Sequence, residues 1–193
     1  MSNLLSTLMG SLGDDGIDRI GRQLGLAPEQ TKSAVLGAIP LLMGAMARNA
    51  GTAEGASSLF GALGRDHDGS VLDDIGSALG GGPTASGQGI LGHLFGEWQN
   101  AIEQNFGRSL GLEPGKVAGM LALLAPLVMG ALGRTQRQNG LDANGLASFL
   151  GGERDALQGS SPGIGGLLAM LDSDGDGNPL DDLAGAVGKL FAR

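Results

Sequence analysis

Two stretches of this chain, Ser33 to Ala47 and Val117 to Gly133, carry no charged residue. A helix that is apolar on every side has to lie at the centre of a fold or in a bilayer, so these stretches dictate where the rest of the chain goes. They are also copies of one another. Pro40-Leu41-Leu42-Met43-Gly44-Ala45 falls on Pro126-Leu127-Val128-Met129-Gly130-Ala131 at an offset of 86, and Arg48 falls on Arg134. The match runs without a gap from Ile20: Ile20-Gly21-Arg22-Gln23-Leu24-Gly25-Leu26 pairs with Phe106-Gly107-Arg108-Ser109-Leu110-Gly111-Leu112, and Pro28 with Pro114. Beyond it the offset widens to 90 at Gly55 and Gly145 and then, chiefly through insertions between Gly151 and Gly163, to 108 at two acidic loops. The period is too long and the copies too few for a solenoid. The expectation is an all-α protein of two homologous halves. Residues 1–80 form the first repeat, 81–89 a glycine-rich linker and 90–193 the second, packed as one globular unit.

Each half reads as helices. Ile17, Ile20 and Leu24 keep helical spacing after Asp14 and Asp15, which suit a helix N-terminus. Leu-Gly-Leu follows as a stop, with Gly25 or Gly111 as the left-handed residue, and Pro28 or Pro114 opens the central helix at its first position. Pro40 and Pro126 should bend those helices. Gly44 and Gly130, four residues on, would let the two approach closely. Leu94, Trp98, Ile102, Phe106 and Leu110 recur every four residues and predict one amphipathic helix. Gly80 to Gly89 reads as a flexible connection.

Composition narrows the function. The 38 glycines are costly inside helices, so many should sit at helix ends or close approaches. A net charge of −8 with scattered Lys and Arg argues against nucleic acid as a partner. The absence of cysteine removes disulfides, thiolate catalysis and Cys-ligated zinc. Residues 1–13 lack a basic start and a cleavage site, so a cytoplasmic location is expected.

The chemistry is in the acidic loops. Asp172-Ser173-Asp174-Gly175-Asp176-Gly177 alternates carboxylates and closes on the glycine that a calcium loop needs at its sixth position. Asp172, Asp174 and Asp176 are the expected ligands, with the Asn178 carbonyl at the seventh position. Leu183 stands where a bidentate Glu is usual, so Asp181 or Asp182 has to close the shell around Ca2+. A capping turn, with Asn178 at the cap and Pro179 first in the helix, is compatible with this. The twin loop keeps Asp66, Asp68, Ser70, Asp73 and Asp74, but Gly64 replaces the first ligand and His67 takes a position that points away from a metal. There Ser70 and Asp73 predict a capping box, and a helix cap is favoured over a second, weaker calcium site.

These segments resemble the YidB-like family of bacterial proteins (domain of unknown function 937). The likeness rests on Leu-Gly-Leu-x-Pro, on the Pro-Leu-x-Met-Gly-Ala-x-x-Arg helix and on the repeated Asp-x-Asp-Gly-containing signature, and it covers nearly the whole chain. It implies an all-helical bacterial protein with no established activity, and offers no catalytic residue.

No nucleophile, base and orienting group come together in the sequence. His93 stands alone, Gly159 to Gly163 follows no strand, and Gly80 to Gly89 lacks the Lys and Ser/Thr of a phosphate loop. An enzyme is therefore not expected. The leading reading is a non-catalytic structural or interaction protein that binds calcium, with an unidentified protein partner and room for homo-oligomers. Val117 to Gly133 reads as buried core. The alternative is a peripheral membrane protein that lays glycine-rich apolar segments, starting with Leu4 to Leu12, along a bilayer.

Overall fold

The computed structural model describes residues 3–160, and the regular structure among them is helical. In chain order the helices are α1 (Asn3–Leu24), α2 (Pro28–Asn49), α3 (Ala53–Asp66), α4 (Ile75–Gly80), α5 (Ala85–Phe95), α6 (Gln99–Leu110), α7 (Pro114–Gln138) and α8 (Ala143–Ser160). Single 3-10 turns cover Ser70–Leu72 and Gly96–Trp98. The all-α class is as expected, and α2 and α7 are the central pair. From Val117 to Gly133 only Ala118 and Pro126 are not fully buried. α1, α2, α5 and α6 pack against α7, while α8 lies across α2 and α3. α7 is long and apolar enough to cross a membrane, yet 78% of its most apolar window is buried inside the fold. Leu4, Leu5, Leu8 and Leu12 of α1 are buried too.

The matched segments do the same local work. Gly25 and Gly111 both take positive φ (61° and 65°). Past each, the Leu amide turns back to donate to a helix carbonyl: Leu26 N to Gly21 O at 2.9 Å, and Leu112 N to Gly107 O at 2.8 Å. That is the six-to-one bond of a Schellman stop. A side chain at Gly107 would run into the Leu112 carbonyl oxygen at 2.7 Å, and one at Gly21 into Thr31 Oγ1 at 2.7 Å. Pro28 and Pro114 each begin the next helix, and neither Pro40 nor Pro126 interrupts its own.

The helix start expected at Asp14 and Asp15 is met inside α1, which is broken at Gly13, where φ is 55° and ψ is −176°, angles that suit glycine. Other expectations need correction. The stripe from Leu94 to Leu110 spans two helices, because Gly96 takes φ 53° and ends α5. Leu94, Ile102 and Phe106 still face the core. The glycine-rich stretch is not a free linker: the turn closes at Thr84, and Ala85 onward is helical. Gly130 does not meet α2. An added methyl there would strike Val71 of the 3-10 turn, so the glycine admits a loop rather than a partner helix.

The closest approaches are backbone on backbone. A methyl added at Gly87 of α5 would fall on the carbonyl oxygen of Ala122 in α7, and one at Gly133 of α7 on the carbonyl oxygen of His67. Gly87→Ala is therefore expected to destabilise the protein by about 1–3 kcal/mol, since neither backbone can yield cheaply. Gly92 lies in the same helix with nothing within 4 Å of an added methyl. Gly92→Ala should raise stability by up to about 1 kcal/mol through helix propensity. Urea melts decide: losses of equal size at both positions would refute the close contact at Gly87.

Candidate functional site

The acidic loop after α3 is the one of the two that lies among the described residues. α3 ends at Asp66, His67 follows outside the helix, and Gly69 reverses the chain with φ 90°. A side chain at Gly69 would meet Arg134 Cβ at 2.8 Å and the Gly130 carbonyl oxygen at 3.0 Å. Only glycine satisfies both the turn and the fit. The loop thus lies directly on α7, over Gly130, Gly133 and Arg134.

Its carboxylates are engaged in different directions. Asp68 Oδ1 accepts from Ser70 N at 2.9 Å and Ser70 Oγ at 2.5 Å, an Asx turn that opens the 3-10 segment. Asp68 Oδ2 also lies 4.0 Å from Arg137. Asp74 caps α4: its Oδ1 accepts from Ser77 N at 2.9 Å and its Oδ2 from Ser77 Oγ at 2.6 Å. Arg134 Nη2 donates to the Gly69 carbonyl at 2.6 Å and to Asp73 Oδ1 at 2.5 Å, pinning the loop to α7. Asp66 has Arg65 3.9 Å away. The caps are therefore Asp68 and Asp74, rather than the capping box read at Ser70 and Asp73. Among the described residues no three of His, Asp and Glu are grouped to hold a metal ion. Asp172, Asp174, Asp176, Asn178, Asp181 and Asp182 lie outside the described residues.

Sequence reasoning missed a cleft beside this loop. An open cavity of about 560 Å³ lies between α3 and α5, lined by Glu54, Ser58, Arg65, His67, Ser86 and His93 among others. Both histidines of the chain reach it from segments 26 residues apart. No local signal marks this, because only the packing of α3 and α5 about α7 brings the two together. Burial pushes the His67 imidazole below its usual pKa, partly countered by the Asp66 carboxylate. Among the described residues no hydrogen bond joins either histidine to a hydroxyl or carboxylate.

At the end of α2, Arg48 Nη2 donates to the Leu94 carbonyl at 3.0 Å, and Asn49 Nδ2 reaches the same oxygen at 3.2 Å. Burial lowers the pKa of the Arg48 guanidinium, and no ion pair reaches it among the described residues.

Hydrogen bonds from Ser70 hold the Asp68 carboxyl below the usual carboxylate range, and those from Ser77 do the same for Asp74. A carboxylate with a depressed folded pKa stabilises the fold above its unfolded pKa of about 3.9, and loses that contribution as the pH falls through the lower folded value. The melting temperature should therefore fall as the pH drops below about 4. Asp68→Asn and Asp74→Asn should each flatten that acid limb, as calorimetric scans across the range would show.

No curated protein and no solved structure matches the chain. A family model matches from within α1 to just past the Arg134 that holds the acidic loop. Over residues 6–135 the chain fits the family described as "Bacterial protein of unknown function (DUF937)", and it belongs to that family.

Proposed function

We propose that the protein works without catalysis, as a duplicated helical structural or interaction module that takes one calcium ion at its carboxy-terminal acidic loop. The charge balance of the described loop carries this reading. Asp66, Asp68 and Asp73 each have an arginine near them: Arg65, Arg137 and Arg134. These are partly exposed pairs, individually weak, but together they keep the loop from accumulating negative charge.

The second loop loses most of that compensation. At the offset of 108, Ser173 stands for Arg65 and Asp172 for Gly64. At the offset of 86, Gly51 stands for Arg137, and only Arg48 keeps its place, as the match of Arg134. Asp172, Asp174 and Asp176 thus alternate along the sequence with one more carboxylate and no arginine among them, a pattern in which like charges repel unless a cation offsets them. A hard divalent cation with oxygen ligands relieves this. The spacing and the Gly177 turn suit calcium better than magnesium, which demands a tighter octahedral shell.

Calorimetric titration of the chelator-stripped full chain should show one dominant calcium site, and calcium should raise the melting temperature by mass action on the folded state. Asp174→Ala should abolish both effects, while Asp66→Ala should keep most of each. Two equal sites would remove the distinction between the loops. No calcium heat at millimolar concentration would reduce both to helix caps.

A further inference from the structure

We propose that the open cleft between α3 and α5 is a binding site for an uncharged, largely apolar small molecule that carries hydrogen-bonding groups. This site is independent of calcium. At about 560 Å³ the cleft falls within the range of about 300–1,000 Å³ typical of small-molecule pockets. Its walls are fixed by main-chain contacts. α5 rests on α7 at Gly87, where an added methyl would meet the Ala122 carbonyl oxygen, and the end of α3 rests on α7 at Gly133, under the His67 carbonyl. Asn49 joins the two walls: its Nδ2 donates to the Leu94 carbonyl at 3.2 Å, and Gly55 lies against its backbone carbonyl oxygen. A ligand therefore meets a cleft that is already shaped, which lowers the cost of binding.

The lining sets the chemistry. Leu59, Ala62, Ile90, Leu94 and Met129 supply apolar surface for the body of a ligand. Ser58, Ser86, His67 and His93 supply polar groups, and among the described residues none of the four makes a side-chain hydrogen bond. A large apolar area with a few polar groups free to orient the ligand is the usual make-up of a small-molecule site.

Charge argues against an ionic ligand. Glu54, Arg65 and Asp66 line the cleft, and Arg65 Nε lies 3.9 Å from Asp66 Oδ2 with both side chains mostly exposed. An anion would meet two carboxylates and share the one arginine. A cation would gain only solvent-exposed carboxylates, and such pairs contribute little. Burial holds the His67 imidazole below its usual pKa, so at neutral pH it offers one donor and one acceptor without charge.

Gly89 and Gly92 make a matched pair of probes. Both lie in α5 and an added methyl meets nothing within 4 Å at either, but Gly89 lines the cleft and Gly92 does not. In excess chelator the full chain should bind the uncharged dye Nile red saturably, one molecule per chain, with blue-shifted emission. Gly89→Leu should weaken that binding about tenfold or more by filling the space the dye needs, while Gly92→Leu should leave it unchanged. Ser58→Phe should block the cleft from the α3 wall, and circular dichroism checks that each variant folds. Naphthalene-2-carboxamide should displace the dye. Naphthalene-2-carboxylate, of the same shape but charged, should need about tenfold or more higher concentration, because its charge would be desolvated without a partner. No saturable binding to the parent, or binding that survives both Gly89→Leu and Ser58→Phe, would overturn the site. Displacement by the carboxylate as readily as by the amide would overturn the class of ligand. The chelator keeps calcium out of the assay, so a failed calcium titration leaves this site standing, and a failed dye titration leaves the calcium site standing.

Discussion

Backbone lying on backbone at glycine is the contact this fold depends on. With aromatic residues at 3% of the chain, few large side chains are available to fill space between helices. Apart from Phe95 and Phe106, the core is made of Ala, Leu, Met, Val and Ile, and much of the close packing has to come from the main chains themselves. Gly87 lets α5 touch the Ala122 carbonyl, and Gly133 lets the His67 carbonyl come down on α7. From that second contact follow the seat of the acidic loop, the reach of Arg134 to Gly69 and Asp73, and the height of the wall that His67 gives the cleft. An additional methyl at Gly133 would lift all of them together.

This explains what could be read from the sequence and what could not. The stops at Gly25 and Gly111 and the starts at Pro28 and Pro114 were legible, because a left-handed glycine and a first-turn proline act through neighbours in the chain. The burial of Val117 to Gly133 was legible from the absence of charge. The break at Gly96 was not, since the four-residue stripe continues through it in phase with the core. Nor was the role of Gly87, which stands in a run of glycines that reads as a linker. Whether a glycine serves a turn or a close approach depends on what packs against it, and Ala122 is 35 residues away. The convergence of His67 and His93 is hidden for the same reason.

The acidic loop shows the same limit in electrostatic form. Its carboxylates were visible as a set, and a set of alternating carboxylates suggests a cation. The structure separates them. Asp68 and Asp74 take local amides and hydroxyls, while Asp73 goes to an arginine 61 residues away. Spacing alone does not distinguish a metal loop from a docking loop. The arginines placed around it do, and Arg134 and Arg137 belong to a helix from the far half of the sequence.

That dependence is reciprocal. α3 and its loop cover α7, and α8 lies on α2, so the elements that follow each central helix are used against the other one. Without the element that covers it, the uncharged stretch of α2 or of α7 would be bare to water on that side, at a cost that scales with the apolar area exposed. Exchange of covers makes neither half self-sufficient, and ties the two central helices into one core. Once that exchange exists, the sequence of a loop is free to drift only as far as the opposite helix allows. Gly69 cannot change without Gly130 and Arg134. Gly133 is held in the same way, because the His67 carbonyl leaves no room for a side chain there.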